Sequence, residues 1–504
     1  MPPPRSPSRS ERSDDLPEQM RVRRGKRESL IAKGMPPYPV SVPRTHSLAD
    51  VRTAYDDMVL GPDHRTGEHV AVTGRVIFLR DNGKLCFVRL REGDGTELQA
   101  MFSLAELGEA SLNDFKTLVD IGDHLAVQGE VVTSRSGELS IQVIGWQMAA
   151  KTLRPLPNEH RPLSDEARVR LRYVDMIVRP ETRDIVRAKA AVLKSLRATL
   201  DRRGFVEVET PVLQLTNGGA AARPFRTNLN AFDQEMLLRI ALELPLKRTL
   251  VGGIERVYEI GRTFRNEGLD SSHAVDFSML EAYQAYGDYN SMMELLRSLV
   301  LDAADAVGSR VVPARDGSQL DLTTGWQRVC VLDLVSDAVG ERVTVQTSAA
   351  VLRDYADKHK VELQPAWDAD EIVVELYEKL VERTLLQPTF VCDFPEGAKP
   401  LAKAHRDIPG LSEAFDLVIN GVELVTAYSE MNDPVVQRER LTEQSLRAAQ
   451  GDLEAMDLDE DFLRALEFGM PPAGGMGMGV DRLVMVLTGV GIRESILFPL
   501  MRPE

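Results

Sequence analysis

Cysteine is scarce in this chain and long apolar runs are missing, and each gap narrows what the chain can be. Cys86, Cys330 and Cys392 are the three cysteines of 504 residues, with no CxxC pair and no His-rich neighbourhood. That excludes a disulfide framework or a cysteine-rich zinc site and fits a reducing, cytoplasmic setting. No run of eighteen apolar residues occurs, so no membrane span is expected and the chain reads as soluble. The opening MPPPRSPSRSERSDD offers no apolar core for a secretion signal, and residues 1–15 read as a disordered tail. A GxxxxGK(S/T) phosphate loop is absent as well, and the GMGMG run at 475–479 lacks the spacing and βαβ setting of a dinucleotide fingerprint. A nucleotide bound here must be held by side chains. The formal net charge of −16 leaves nucleic acid open, because a phosphate backbone responds to local charge and basic runs such as RVRRGKR (21–27) are present.

What is there divides the chain. Residues 16–65 read as a charged helical segment broken by PPYPV at 36–40. From 66 to 152 the period changes to strands separated by the tight-turn sequences DNG and EGDG, with one helix at 104–118. Five short strands and one helix suggest an OB-type Greek-key barrel. Such barrels grip single-stranded nucleic acid on the face of strands two and three, and the candidates here are Phe78, Arg80, Phe87, Gln99 and, from the last hairpin, Glu138. The plainer alternative makes Phe87 core and Arg80 a solvated charge. A Pro- and charge-rich stretch, KTLRPLPNEHRPL, leads into a linker at 153–180, and 181–504 forms a second, larger domain. There Ile185, Val192, Leu196 and Leu200 share one helix face with Gly204 as the stop. GFVEVETP alternates as a strand halted by Pro211. The fold class expected is α+β: the barrel, then a mixed, mostly antiparallel sheet flanked by helices. Residues 306–370 carry mixed signals and no recognisable chemistry.

Three blocks carry chemistry. GRTFRNEG (261–268) and SSHAVDFSMLEAY (271–283) set Arg, Glu, His and an aromatic around a polar loop, and GMGMGVDRL (475–483) adds a distant Arg behind a glycine-rich turn. In FDLVINGVELVTAYSEMNDP (415–434), Asp416 and Glu423 would face opposite sides of one continuous strand. The NG turn at 420–421 reverses the chain and can bring them together across a hairpin. Paired carboxylates suit Mg²⁺, with water and phosphate oxygens completing its shell.

Together these blocks resemble the class II lysyl-tRNA synthetases of the bacterial type. GFVEVETP looks like motif one of that class, FRNEG…HAVDFSMLEAY like motif two and GMGMGVDRL like motif three. NGGAAARPFRT (217–227), LKRTLVGGIERVYEIGRTFRNEG, QPTFVCDFPEGAKPLAK (387–403) and the closing LFPLMRP extend the match from about residue 16 to the end. The resemblance implies that L-lysine and ATP give lysyl-adenylate, which then charges tRNA(Lys). It implies Arg265 on the α-phosphate, Glu267 on the adenine amino group, His273 on the outer phosphates, and Phe277 and Arg482 on the two faces of the base beside Gly479. Asp416 and Glu423 become the Mg²⁺ ligands. Glu243 would take the α-ammonium of lysine, and Glu281, Tyr283 and Glu430 the ε-ammonium. Tyr428, Thr426 and Gly218 or Gly219 would shape the channel, and the barrel would hold the anticodon. A homodimer through the motif-one helix and strand is also implied.

The chain departs from the family at several points. Ala274-Val275 follow the motif-two His where Asn-Pro is usual, Leu242 replaces Pro, Pro245 replaces an aromatic, and Asp416 replaces Glu. Lys399 replaces a small polar residue and Thr426 an Asn. These fit a divergent paralogue, and the rival reading is a catalytically weakened one that binds tRNA or a partner. Lysylation of a protein is disfavoured by the presence of the barrel, and that of a lipid by the lack of a membrane domain. Aspartate or asparagine as substrate is disfavoured by the acid cluster, which would repel a carboxylate.

Overall fold

The computed structural model describes residues 16–55, 60–157, 162–268, 273–449 and 455–502. The tail expected over 1–15 lies outside the described residues. The chain forms two compact units, 1–164 and 165–504.

In the first unit β1 (Arg65–Asp81), β2 (Leu85–Arg91), β3 (Glu97–Ser103), β4 (His124–Thr133) and β5 (Leu139–Ala150) close a barrel in the order β1-β2-β3-β5-β4. The helix Leu104–Leu118 follows β3, and its Phe115 stacks on Phe102 at 3.9 Å between ring centroids. An irregularity in β1 between Val76 and Phe78 changes the phase of the strand. Even-numbered residues point inward up to Val76, which is buried, and outward from Phe78, which is 48% exposed. That slip puts Phe78 and Arg80 on the outer face. The helix Glu18–Ala32 docks through Arg23, which donates to the carbonyls of Thr152 and Ile121.

The second unit begins with helices Asp165–Arg170 and Arg172–Val178, inside the stretch read from the sequence as linker. In the helix Pro180–Arg202, Val192, Leu196 and Leu200 are buried in the main core and Ile185 is half-buried. Gly204 follows at φ +76°, the left-handed conformation expected of a helix stop. The expected strand GFVEVETP shortens to β6 (Val206–Glu207), and Val206 is 49% exposed rather than packed inward. Next come β7 (Leu213–Gln214), β8 (Arg226–Leu229) and β9 (Gln234–Leu238), which form a small sheet of order β7-β9-β8. Then come β10 (Arg256–Phe264), β11 (Asp276–Ala285), the hairpin of β12 (Val311–Pro313) and β13 (Gln319–Asp321), β14 (Gln327–Cys330), β15 (Thr389–Cys392), β16 (Ala414–Ile419), β17 (Val422–Ser429) and β18 (Ala473–Gly479).

The main sheet has eight strands in the order β14-β15-β16-β17-β18-β11-β10-β6. All its pairs are antiparallel except β14–β15 and β10–β6 at the two edges. The glycine-rich β18 therefore lies in the middle of the sheet, where absent side chains leave room for something else. Helices Val331–Val339 and Ala349–His359, from the region with no legible chemistry, and Ala369–Leu380, which begins at its end, build a core of their own against β15 and β16.

Candidate active site

The helix Glu243–Val251 and strands β11, β17 and β18 converge on one buried acid cluster. Glu243, Glu281 and Glu430 are each less than a tenth exposed. Glu281 accepts a hydrogen bond from the backbone N–H of Leu242 at 2.8 Å and another from the Tyr283 hydroxyl at 2.9 Å. Burial and the neighbouring charge of Glu243 nevertheless push its carboxyl up to about 7. Burial likewise raises Glu243, and it lifts Glu430 to about 8, against the opposing charge of Lys247. Lys247 is fully buried, and its ammonium lies 2.5 Å from both Glu243 and Glu430, which hold it firmly protonated. The sequence reading missed this internal counterion. The i,i+4 spacing of Glu243 and Lys247 on one helix was the available signal for half of it.

Two departures from the family gain a local explanation. Leu242 supplies the N–H that Glu281 uses, which a proline could not donate. Pro245 is the third residue of its helix, where no intrahelical N–H bond is forfeited. Glycine makes the cluster fit. A Cβ on Gly475 would fall 2.1 Å from Glu430 Oε1 and 2.4 Å from the Tyr283 ring, and one on Gly218 would fall 2.7 Å from Leu244. Gly219, at φ +85°, brings the backbone against Glu243. Tyr428 is half-buried, and burial raises its hydroxyl well above the ordinary range, with Glu243 adding to the effect.

The expected hairpin forms around Asn420 and Gly421, both at positive φ (57° and 67°), as a two-residue turn with twist matched to its strands requires. A register shift then separates the pair Asp416↔Thr426 from the pair Val418↔Glu423. In a regular strand Glu423 and Thr426 would face opposite sides. The irregularity lets Leu424 and Val425 both enter the core and returns Thr426 to the face of Glu423. Thr426, expected at the lysine channel, instead donates to Asp416 Oδ1 at 2.7 Å and lies 3.5 Å from Glu423 Oε1. One hydroxyl thus spans the two carboxylates. Lys399 lies 3.3 Å from each oxygen of Asp416, and Arg482 donates to the Glu423 carbonyl at 2.6 Å and approaches its carboxylate at 3.5 Å. Burial pushes Glu423 up, yet Arg482, Lys399 and Arg265 outweigh it and hold the carboxyl below its usual value. Deeper burial leaves Asp416 raised, against Lys399.

Between these clusters lie the nucleotide candidates. Arg265 ends the β10 edge of the motif-two hairpin, and its N–H is bonded to the carbonyl of Val275 at 2.9 Å. Its guanidinium sits over the Phe277 ring, 5.4 Å from the centroid, so the aromatic face is covered by Arg265, whereas Arg482 is turned to Glu423. Asp481, next to Arg482, accepts from the Ser278 N–H at 2.9 Å and pairs with Lys189 at 2.5 Å, which pins the helix Val480–Thr488 to β11. The nearest atoms to a Cβ at Gly479 would be Arg482 carbons, at ordinary contact distance. Glu267 and His273 are exposed at the rim of the loop between β10 and β11.

On the barrel, Arg80 lies over the Phe87 ring at 5.1 Å and pairs with it across β1 and β2. Phe87 is half-buried between the buried Cys86 and Val88, so it belongs to the outer face and not to the core. Gln99 donates to Ser140, and Glu138 is exposed two residues before Ser140.

A mostly antiparallel sheet whose central strands carry an acid cluster, a carboxylate hairpin and two arginines, in a chain that also has an OB-type barrel, defines a class II aminoacyl-tRNA synthetase. Residues 164–502 match the family described as tRNA synthetases class II (D, K and N), and residues 70–148 match the OB-fold nucleic acid binding domain. The chain is 52% identical over 504 residues, 99% of both chains, to the lysine–tRNA ligase of Mycobacterium bovis (strain BCG / Pasteur 1173P2). It is 53% identical to the lysine–tRNA ligase of Kineococcus radiotolerans over 98% of this chain and 99% of the relative. It is also 48% identical over 97% of its length to 41% of the lysylphosphatidylglycerol biosynthesis bifunctional protein LysX of Mycobacterium avium. The chain belongs to the lysine–tRNA ligase family of class II synthetases.

Proposed function

We propose that this chain is a working lysine–tRNA ligase, and the observation that carries the substrate choice is the charge balance of the buried cluster. Three carboxylates, Glu243, Glu281 and Glu430, share one internal ammonium, Lys247. With L-lysine bound, its two ammonium groups and that of Lys247 match the three carboxylates one for one. Glu243 takes the α-ammonium, and Glu281, Tyr283 and Glu430 take the ε-ammonium. A substrate without the terminal amine would leave a buried carboxylate unpaired and be rejected.

Held in this way, the lysine carboxylate points at the α-phosphorus of ATP. Its oxygen attacks, the bond to the β-phosphate breaks, and pyrophosphate leaves. Arg265 stabilises the negative charge that develops at that phosphorus. Phe277 is the platform for adenine, with Glu267 on its amino group and His273 on the outer phosphates. Arg482 swings from Glu423 to close the other face, a contact worth roughly 0.5–2 kcal/mol. The 3′-terminal hydroxyl of tRNA(Lys) then attacks the acyl carbon, and AMP leaves. Asp416 and Glu423 offer hard oxygen donors of the kind Mg²⁺ takes, bridged by Thr426, although the Lys399 ammonium already stands against Asp416. Mg²⁺ would supply charge neutralisation of the ATP phosphates. Among the described residues no three His, Cys, Asp or Glu side chains converge as a metal site, so the phosphates and water must complete the shell.

The barrel, residues 66–152, is assigned to the anticodon, with Phe78 and the Arg80–Phe87 pair as stacking surfaces. The exposed apolar residues Val206, Val212, Leu213 and Leu215, just after the helix Pro180–Arg202, are assigned to a homodimer interface. Light scattering behind size exclusion checks it, and a monomer at micromolar concentration would count against it. Among the described residues no helix is long and apolar enough to cross a membrane, in keeping with a cytoplasmic assignment.

The deciding experiment is ATP–pyrophosphate exchange with purified protein and Mg²⁺, using arginine, ornithine and aspartate as controls and Arg265→Ala as the blank. Exchange with lysine alone is expected. No exchange from folded protein that still binds tRNA would replace this reading with that of a catalytically weakened paralogue.

A further inference from the structure

At the carboxylate pair, each acid already has a cation from its own chain. Arg482 attends Glu423, and its guanidinium is oriented by the Glu423 carbonyl. Lys399 attends Asp416 in a different manner. Its ammonium is equidistant from the two oxygens, at 3.3 Å each, so it lies on the bisector of the carboxylate, where a bidentate metal ion would sit. Burial and two further contacts fix this arrangement. The Lys399 side chain is 16% exposed, its ammonium is 4.5 Å from the centroid of the fully buried Phe394 ring, and Asp416 Oδ1 is also held by Thr426. An ammonium pinned between a carboxylate and an aromatic face is attracted from both sides. Mg²⁺ needs oxygen at 2.0–2.1 Å and near-octahedral freedom, and it could not share that edge of Asp416 with the ammonium.

We infer that Lys399 is a built-in cation that takes the place of one divalent metal ion at the Asp416–Glu423 pair, leaving the Glu423 side alone open to metal. The inference rests on the assignment of that pair as the metal-facing element of the site. It gives Lys399 a positioning part in the reaction. One positive charge beside the phosphates is supplied by the chain, and the divalent ion requirement is reduced to metal that arrives with the nucleotide or binds through Glu423.

The test is Mn²⁺ binding to the full-length protein, followed by the free-ion electron paramagnetic resonance signal, alone and with a methylene-bridged, non-hydrolysable ATP analogue. Lys399→Ser removes the ammonium and opens the site. Lys399→Met keeps the stem against Phe394 and removes only the charge, so it serves if the serine variant does not fold. Relief of a unit charge a few ångströms from the metal should tighten Mn²⁺ binding roughly tenfold or more, or add one bound Mn²⁺. Adding Asp416→Asn to either variant should abolish the gain. Equal Mn²⁺ number and affinity in the wild type and Lys399→Met would overturn the inference. If in that case Asp416→Asn still weakens Mn²⁺ binding in the wild type, the carboxylate pair stands as the metal site and only the part given to Lys399 fails. A gain in Lys399→Met that survives Asp416→Asn and Glu423→Gln would overturn both.

Discussion

Replacing Lys247 with methionine keeps the length of the side chain but strands Glu243 and Glu430 without their counterion. Removing one partner of a buried ion pair costs about 3–5 kcal/mol, so Lys247→Met should lower the urea midpoint strongly and lose lysine-dependent exchange. Glu281 makes a separate prediction. Its carboxyl is raised from 4.5 to about 7, so near neutrality a share of the unliganded sites carries a proton that an incoming ammonium must displace. Lysine affinity should rise with pH from 6 to 8, and calorimetry in buffers of different ionisation enthalpy should register proton release on binding. The sign for stability is opposite. Between pH 4.5 and 7 the folded state binds more protons at Glu281 than the unfolded chain does, so this group's contribution to stability declines as pH rises through that window. At Gly475 a single methyl group would overlap both Glu430 and Tyr283. Gly475→Ala should therefore raise the KM for lysine by tenfold or more while ATP affinity, measured by equilibrium dialysis, changes little.

The hairpin of β16 and β17 shows which features of an element can be read from residue order. The Asn-Gly turn was legible because its two residues tolerate positive φ, and it correctly joined Asp416 to Glu423. The irregularity beyond it was not legible, since Leu424 and Val425 are apolar residues that suit either face of a buried strand, and only packing decides that both turn inward. The contact of Thr426 with Asp416 was not foreseen for that reason. Lys247 was half legible, as an i,i+4 partner of Glu243. Its contact with Glu430 depends on the sheet order, which no local pattern encodes. Phe78 and Arg80, read as nucleic-acid candidates, lie on the outer face of β1 through a slip that was not foreseen. In β6 the alternation of Val and Glu pointed to a longer strand than forms, because an edge position pairs on one side only. The turn itself is a sensitive point. A Cβ on Gly421 would lie 2.7 Å from the Arg383 carbonyl oxygen at φ +67°. Gly421→Ala should cost about 1–3 kcal/mol, read as a lowered melting temperature, and should weaken Mn²⁺ binding at the carboxylate pair.

Each of the two units has a core of its own. The barrel cluster runs from Leu30 to Met148, and the clusters around the main sheet draw on residues beyond 190. Substitutions on the outer face of the barrel should then act on one half of the reaction. Phe78→Ala with Arg80→Ala should raise the KM for tRNA in the charging assay and leave lysine-dependent ATP–pyrophosphate exchange unchanged; a parallel loss of exchange would contradict the assignment of that face to the anticodon. The separateness of the cores bears on how faithfully a codon is given its meaning. One unit chooses the amino acid and the other vets the adaptor molecule, so the two kinds of error arise independently and their rates add. A lesion in the barrel would attach the right amino acid to wrong adaptors, and a lesion in the acid cluster would attach wrong amino acids to the right adaptor. Neither fault could conceal the other, and mass spectrometry of the resulting proteome would tell them apart by which codons are misread.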